Sequence, residues 1–237
     1  MSHIREAIIL AGGLGTRLRS AVPELPKCMA PVNGRPFISY LIHYLQESGV
    51  QKLVFSLGYR AAYFYDYLST TLPSGIYTII QEEEPLGTGG AIQLALQKIS
   101  GTSTIIVNGD SIFKADLPAQ IASHLSTNAD CTLALTYKEQ ADRYGLVVCD
   151  TTGRIQAFGE KKTGTSGWIN AGVYALKSAA LLDAALPDKF SFETDFLQAK
   201  YQALSFYGCQ QEGYFIDIGI PEDYQRAQQE LTNENTP

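Results

Sequence analysis

The sequence predicts an α/β fold with a Rossmann-like mixed, mostly parallel sheet that carries helices on both faces. Short β-rich runs alternate with helical segments through the first two thirds of the chain, which is typical of parallel sheets built from βαβ units. Two of the runs, IILA and TIIVN, are continuously apolar, as expected of strands buried on both sides. No apolar run approaches the roughly 18 residues that span a bilayer.

The first two thirds of the chain supply four strands and four helices to this prediction. The predicted strands are Ala7–Leu10, Lys52–Ser56, Tyr77–Gln81 and Thr104–Asn108. The predicted helices are Phe37–Glu47, Ala61–Ser69, Gly90–Lys98 and Leu117–Ser126.

After residue 130 the rhythm changes to strands in succession. CTLALTY, YGLVVCD and RIQAFGEK are predicted strands, with DTTGR as the turn between the last two. Then follow a strand near Ile169–Ala175, helices near Ser178–Leu186 and Thr194–Gln202, short strands in LSFYG and YFIDI, and a helix that begins at Pro221. No linker-like segment divides the chain, so we expect a single domain over residues 1–237.

The charge distribution favours a small anionic ligand over nucleic acid. The net charge is -6, yet residues 1–35 hold five basic and two acidic residues, which is +3 and leaves -9 for the rest. Nucleic-acid binding usually needs a basic face, so we expect no nucleic-acid partner and no membrane association. The N-terminus MSHIREAI lacks a secretory pattern, which makes a cytoplasmic location the default. The four cysteines form no CxxC pair and are expected to be free thiols.

The stretch EAIILAGGLGTRLR joins a predicted strand to a glycine loop and two arginines. It lacks the Gly-Lys pair of a P-loop, and Leu18 stands where a dinucleotide fingerprint needs its third glycine. A glycine backbone can still approach phosphates closely, and Arg17 can pair with their oxygens. Lys27 follows between two prolines that could hold it in place. A tight strand-to-helix turn with solvated arginines is the alternative.

Two aspartates end predicted strands. Asp110 closes NGD, and Asp217 closes FID ahead of a helix that begins with proline. Open α/β sheets bind ligands at the carboxyl ends of their strands, and two carboxylates there could hold Mg²⁺ against substrate phosphates. Each aspartate taken alone could equally be a turn former or a helix N-cap.

Two further groups carry weaker signals. In QEEEPLGTGGA a glycine-rich backbone opens a helix and could admit a flat base, although a helix start with acidic residues explains it as well. GEKK, INAGVY and FSFETDF place Glu160, Asn170 and Glu193 as groups that could read sugar hydroxyls, with Lys161 as a phosphate partner. A charged EKK run is more often a solvated surface.

In this order the motifs resemble the sugar-1-phosphate nucleotidyltransferases, the nucleoside-diphosphate-sugar pyrophosphorylases. LAGGLGTRLRS followed by PKCMAPVNGRP is similar to the family's signature, and EPLGTGGA, NGD, GEK, NAGVY and IDIGIPEDY follow in family order. PKCMAPVNGRPF and GYFIDIGIPEDY most resemble the D-glycero-α-D-manno-heptose 1-phosphate guanylyltransferases. Mannose-1-phosphate guanylyltransferases and thymidylyl- or uridylyltransferases share many of these motifs. Cys28 departs from a more usual proline.

The resemblance implies the nucleotide-diphospho-sugar transferase fold, with a nucleotide-binding half at about residues 1–130 and a sugar-binding half at about 131–237. It implies that an NTP and a sugar 1-phosphate form an NDP-sugar and pyrophosphate with Mg²⁺ as cofactor. Arg17 and Lys27 would be catalytic, and Asp110 and Asp217 would hold the metal. The implied nucleotide-binding residues are Leu10, Ala11, Gly12, Gly13, Gly15, Thr16, Glu82, Gly87, Thr88 and Asp110. The implied sugar-phosphate-binding residues are Gly145, Glu160, Lys161, Asn170, Gly172 and Glu193.

The choice of base depends on the residue that faces it. A carboxylate can accept the adjacent N1–H and N2–H donors of guanine, whereas an amide suits thymine or uracil better. This favours GTP, but the sequence leaves open whether Glu82, Glu83 or Gln81 faces the base. It also does not decide between a monomer and a homo-oligomer. A catalytically silent nucleotide-sensing subunit is the non-enzyme alternative, and the joint presence of Arg17, Lys27, Asp110, Lys161 and Asp217 argues against it.

Overall fold

A computed structural model describes residues 4–13, 18, 22, 24–58, 60–160 and 163–231 of the chain. The strands of this part, β1 to β13 in chain order, are Glu6–Leu10, Pro31–Val32, Arg35–Pro36, Lys52–Leu57, Tyr77–Gln81, Ser103–Asn108, Ser111–Phe113, Cys131–Lys138, Val147–Cys149, Ile155–Phe158, Gly167–Lys177, Phe206–Gln210 and Phe215–Asp217. The α-helices, α1 to α6, are Phe37–Glu47, Ala62–Thr71, Gly87–Leu96, Leu117–Ser126, Ser178–Leu182 and Pro221–Glu230. A 3-10 turn spans Lys27–Met29 and a π-helical turn spans Phe192–Gln198.

Seven strands form the central sheet in the order β12-β8-β11-β6-β1-β4-β5. The strands β6, β1, β4 and β5 pair in parallel, and β12 pairs in parallel with β8. Only β11 runs against its neighbours, β6 and β8. The mixed, mostly parallel sheet that the sequence predicts is therefore confirmed.

Helices cover the two faces of this sheet, as predicted. In β1, Ile9 packs into a core with Phe37 of α1 and Phe64 of α2. Its neighbour Ile8 points to the opposite face and packs with Ile92 of α3. Alternate residues of a strand point to opposite faces, so a strand covered on both faces must be apolar throughout. This explains the continuous apolar run in IILA.

The topology gathers the carboxyl ends of β1, β4 and β6 at one edge of the sheet, because these strands run in parallel. A two-stranded ladder of β13 with β7 lies beside that edge and pairs Asp217 with Ser111. The second half of the chain thus returns to the strand ends of the first half. Residues from both halves can contribute to a site there.

Several boundaries differ from the prediction. Helix α3 begins at Gly87 rather than near Gly90, and the helix predicted over 178–186 ends at Leu182. The helix predicted over 194–202 is a π-helical turn that begins two residues earlier, where the Ser191 hydroxyl accepts a hydrogen bond from Thr194 N–H. The short hairpin of β2 and β3 was not predicted, although Asn33 and Gly34, both in left-handed conformations, form the Asn-Gly pair typical of a tight hairpin turn.

The four cysteines are free thiols, as expected. Among the residues that the structure describes, no helix is both long and apolar enough to cross a membrane.

His124 on α4 is a buried titratable group far from the sheet's carboxyl edge. Its ring lies within 3.1 Å of the Thr132 hydroxyl and 3.4 Å of the Ser103 hydroxyl. Burial lowers the pKa of His124 from 6.5 to about 4; Asp130 opposes this shift and Lys177 adds to it. The folded protein therefore holds this imidazole neutral at pH values where the unfolded chain protonates it.

We expect the folded state to lose stability as pH falls from about 6.5 towards about 4. In that window the unfolded chain binds a proton at His124 that the folded chain does not bind. The loss approaches about 1.4 kcal/mol per pH unit. Urea unfolding at several pH values measures it. Replacement His124→Gln should flatten this dependence, whereas His43→Gln, which removes an exposed imidazole paired with Glu47, should preserve it; equal slopes in both variants would contradict the assignment.

Candidate active site

A cavity of about 440 Å³ lies at the carboxyl ends of β1, β4 and β6. The glycine loop after β1 forms one wall, the start of α3 forms another, and the Lys27 turn closes a third. Its lining residues are Leu10, Ala11, Gly12, Gly13, Lys27, Cys28, Ser56, Glu82, Pro85, Gly87, Thr88, Ala91, Asn108, Asp110 and Gly219. This is the position at which open α/β sheets bind ligands.

One ammonium group joins the two predicted aspartates at the rim of the cavity. Lys27 Nζ lies 2.6 Å from Asp110 Oδ2 and 3.5 Å from Asp217 Oδ1. Pro26 precedes the 3-10 turn that Lys27 opens, and the lysine side chain is only 11% exposed. Asp110 follows β6, and Ile218 N–H donates to its carbonyl at 3.0 Å, which ties the Asp217 segment to it. The sequence predicted that the two aspartates hold one metal ion together, and the structure brings both carboxylates to the same lysine; their role in metal binding stays a prediction.

Opposing effects act on the pKa of the Asp217 carboxylate. Burial and the neighbouring Asp110 carboxylate raise its pKa, while Lys27 and the Gly219 N–H favour its charged form. That N–H donates to Asp217 Oδ1 at 2.7 Å. A Cβ at residue 219 would lie 2.9 Å from the same oxygen, so a glycine is needed for the backbone to approach so closely. One lysine does not offset two clustered carboxylates, and further positive charge would be favourable here.

Glu82 is the residue of the QEEE segment that lines the cavity. Its Oε2 accepts a hydrogen bond from Leu86 N–H at 2.9 Å, which fixes the carboxylate. Its Oε1 would lie 2.9 Å from a Cβ built on Gly12, so the carboxylate is packed against the glycine loop. Burial raises the pKa of Glu82, and the Leu86 N–H opposes that shift.

The neighbours of Glu82 point elsewhere. The Gln81 side chain is at the surface, where its amide oxygen accepts a hydrogen bond from the Tyr65 hydroxyl at 3.4 Å. Glu83 is exposed and does not line the cavity. Of the three candidates that the sequence left open, the geometry singles out Glu82.

Two of the three glycines in GTGG allow close packing against a neighbouring segment rather than open room for a base. A Cβ at Gly89 would lie 2.1 Å from the Phe190 ring, and one at Gly90 would lie 2.2 Å from Asp188 O. The Thr88 hydroxyl accepts a hydrogen bond from Phe192 N–H at 2.9 Å. These contacts lock the start of α3 to the 188–192 segment, and within GTGG it is Gly87 and Thr88 that line the cavity.

Gly172 lies against the cavity residue Asn108, and Asn170 holds the Gly172 backbone. Gly172 has a φ of +76°, and a Cβ there would lie 2.7 Å from Asn108 Nδ2. Asn170 Oδ1 accepts a hydrogen bond from Gly172 N–H at 3.0 Å, and its Nδ2 donates to the Tyr174 hydroxyl at 2.9 Å. One amide hydrogen of Asn170 remains for a ligand.

Gly145, Glu160 and Glu193 surround this corner. Leu146 bridges to Ile169 in antiparallel fashion, which places Gly145 opposite Asn170. Gly159 N–H donates a hydrogen bond to Leu146 O at 2.7 Å, which fixes the backbone just before Glu160. The Glu160 side chain is exposed. Glu193 is exposed on the π-helical turn, next to Phe192. None of the three lines the cavity itself.

Four of the predicted site residues, Gly15, Thr16, Arg17 and Lys161, lie outside the described residues. Their roles stay predictions from the sequence.

Six cavity residues had no predicted role: Cys28, Ser56, Pro85, Ala91, Asn108 and Gly219. Cys28 is buried with Sγ 3.9 Å from Ala11 O, and burial raises the pKa of its thiol to about 12, so it stays protonated. Asn108 was quoted in NGD but received no role. Ser56 had one available signal, since it is a hydroxyl in the otherwise apolar run LVFSL.

Comparison with known proteins gives consistent matches. The family model described as nucleotidyl transferase matches residues 6–234. The D-glycero-α-D-manno-heptose 1-phosphate guanylyltransferase of Aneurinibacillus thermoaerophilus is 44% identical over 95% of this chain and 98% of its own. The enzyme of that name from Campylobacter jejuni is 40% identical over 92% and 96%. The crystal structure of HddC from Yersinia pseudotuberculosis complexed with GMP-PN superposes with a TM-score of 0.85, at 38% identity, over 97% of this chain and 100% of that one.

The packing of Gly12 yields a matched pair of variants. Gly12→Ala should lower the thermal unfolding midpoint, because the added Cβ would lie 2.9 Å from Glu82 Oε1 and 3.1 Å from Gly58 N. Overpacking of this kind costs about 1–3 kcal/mol. A Cβ on Gly13 meets no atom of the described residues within 4 Å beyond its chain neighbours, so Gly13→Ala should leave the midpoint unchanged. Thermal unfolding followed by circular dichroism compares them, and equal midpoints would refute the close contact of Gly12 with Glu82.

Proposed function

Because the chain belongs to the nucleotidyl transferase family, we propose that it transfers GMP from GTP to D-glycero-α-D-manno-heptose 1-phosphate and releases pyrophosphate. The names of the two relatives at 44% and 40% identity, which match nearly their whole length, support this choice of substrates. The observation that carries the proposal is the Lys27 ammonium between Asp110 and Asp217, at the rim of a cavity whose opposite wall presents Glu82.

The reaction needs positioning and positive charge rather than a general base. An oxygen of the sugar phosphate attacks the α-phosphorus of GTP, a new P–O bond forms, and the bond to the β-phosphate bridging oxygen breaks. The second pKa of a phosphate monoester is about 6, so the attacking oxygen is already ionised at neutral pH. The barrier is the approach of two polyanions, which fixed cations at the site lower. Lys27 is placed to supply such charge beside the α-phosphate.

Mg²⁺ fits the residues at the rim. Two carboxylates meet there; burial and then the Asp110 carboxylate raise the pKa of Asp217, while Lys27, 3.5 Å away, opposes that shift. No group of three or more His, Cys, Asp or Glu side chains in the described ranges could hold a metal. Asp110 and Asp217 would therefore leave the remaining ligand positions to phosphate oxygens and water, which is the pattern Mg²⁺ prefers. The ion would neutralise phosphate charge during the transfer.

Glu82 favours guanine as the base. Its carboxylate is fixed by Leu86 N–H and faces the cavity. Two adjacent N–H donors on guanine, N1–H and N2–H, match a carboxylate, whereas the single N–H of thymine or uracil between two carbonyls does not. Adenine offers no N1–H and would leave the carboxylate without that partner.

The sugar phosphate is proposed to occupy the corner formed by the second half of the chain. Asn170 has a free amide hydrogen for a sugar hydroxyl, and Gly145, Gly172, Glu160 and Glu193 lie around it. By resemblance, Lys161 would bind the sugar phosphate and Arg17 the departing pyrophosphate. This assigns nucleotide binding to about residues 1–130 and sugar binding to about 131–237, within one domain. The substrates are small cytosolic anions, so we place the protein in the cytoplasm.

Pyrophosphate release tests the proposal directly. A panel of GTP, ATP, CTP, UTP and dTTP, each with the heptose, mannose and glucose 1-phosphates, should show the highest kcat/KM for GTP with the heptose. Chelation of divalent cations should abolish turnover, and Mg²⁺ should restore it.

The panel separates the parts of the proposal. Preferred turnover of dTTP with glucose 1-phosphate would overturn the substrates but keep the reaction. GTP with mannose 1-phosphate as the best pair would overturn only the sugar. No pyrophosphate from any pair in the presence of Mg²⁺ would refute the enzyme itself.

A further inference from the structure

The Ser56 hydroxyl is a buried polar group that no role above explains. Ser56 is 1% exposed, and its Oγ has no hydrogen-bond partner among the described residues. Three other buried side-chain atoms there share that property, on Gln120, Ser178 and Tyr214. Only Ser56 lines the cavity at the sheet's carboxyl edge. A buried hydroxyl without a partner destabilises the free protein, so an alanine would suit the fold better.

The register places Ser56 beside Glu82. Ser56 pairs with Ile80 across the parallel strands β4 and β5. Glu82 follows two residues later and stays in the ladder through its N–H, which donates to Leu57 O at 2.9 Å. Positions two apart share a face, so the two side chains point to the same side, about 8 Å apart from one backbone position to the other. That span suits one edge of a purine.

The backbone around Ser56 holds it rigidly. The Ser56 carbonyl accepts a hydrogen bond from Ala11 N–H at 2.9 Å, and Ser56 pairs with Leu10 of β1 across the parallel ladder. Ser56 therefore lies on a central strand, next to the first residue of the glycine loop and at the wall of the cavity. A group fixed in this way can discriminate between bases, because it cannot move to satisfy the wrong one.

We propose that Ser56 is a second base-reading residue, whose hydroxyl donates a hydrogen bond to the guanine O6 while Glu82 accepts N1–H and N2–H. The inference rests on the proposed use of GTP. Guanine presents O6, N1–H and N2–H in a row, so a donor next to a carboxylate complements its whole edge. Adenine carries an amino donor in place of O6 and loses this bond as well as the one to Glu82.

Ser56→Ala tests the proposal by separating binding from stability. The variant should unfold at the same temperature as the wild type or higher, because it removes an unpaired buried hydroxyl. Its Kd for GTP with Mg²⁺ should rise about 3- to 10-fold, the usual effect of one neutral hydrogen bond. Ser178→Ala is the matched control: it removes another buried, unpaired hydroxyl, at the start of α5, and should leave the Kd unchanged.

Nucleotide analogues identify the atom that Ser56 reads. The same fold-loss on Ser56→Ala is expected for GTP, for inosine triphosphate, which lacks only the 2-amino group, and for 7-deaza-GTP, which lacks only N7. With 6-thio-GTP, whose sulfur is a poor acceptor, the wild type should bind more weakly and the substitution should matter little. A loss that disappears with 7-deaza-GTP would assign Ser56 to N7 and overturn the O6 contact. An unchanged Kd for GTP would overturn the role in binding.

Failure of the proposed function looks different. If the wild type does not bind GTP but turns over another nucleotide, the substrate proposal fails before Ser56 is tested. If GTP is bound and used while Ser56→Ala behaves like Ser178→Ala, only the role of Ser56 fails.

Discussion

A single ammonium, that of Lys27, holds together two carboxylates that are 107 positions apart in the sequence. Asp110 arrives at the end of a central strand, and Asp217 arrives through a separate two-stranded ladder from the second half of the chain. The arrangement exists only if β6, β7 and β13 are all in register. The chemistry of the site and the assembly of the fold thus depend on the same contacts.

The electrostatics of this centre account for the features around it. Burial and the neighbouring Asp110 carboxylate raise the pKa of Asp217, while Lys27, the Gly219 N–H and Arg143 oppose that shift. The proposed substrates carry phosphates and bring still more negative charge, so the proposal gives them a divalent cation and a backbone that can approach them closely. The glycine loop after β1 supplies the backbone, and Gly219 lets a main-chain N–H reach Asp217 at 2.7 Å. On the opposite wall a backbone N–H fixes the carboxylate of Glu82, the residue proposed to select the base.

Much of the fold was predictable, because the continuously apolar runs IILA and TIIVN indicate strands that are buried on both faces. The meeting of Lys27, Asp110 and Asp217 was predictable from strand ends together with the family resemblance. The sequence could not show that Glu82 rather than Gln81 lines the cavity, because this depends on the side of the sheet to which each side chain points at the end of β5. The role of the GTGG glycines was also hidden, because Phe190 and Asp188, which pack on them, are about a hundred residues away. Ser56 was missed because its one available signal, a hydroxyl in the otherwise apolar run LVFSL, indicates a role only when its burial and its lack of a partner among the described residues are known.

The most direct measurement of the central role of Lys27 is the single-turnover rate of GMP transfer in Lys27→Met. Lys98→Met, which removes an exposed lysine just beyond the end of α3, is the control. If the Lys27 ammonium stabilises the charge that develops during transfer, the rate should fall about 100- to 1000-fold, while thermal unfolding shows a folded protein and the control keeps its rate. A rate for Lys27→Met equal to that of the control, in a folded protein that binds GTP, would contradict the account.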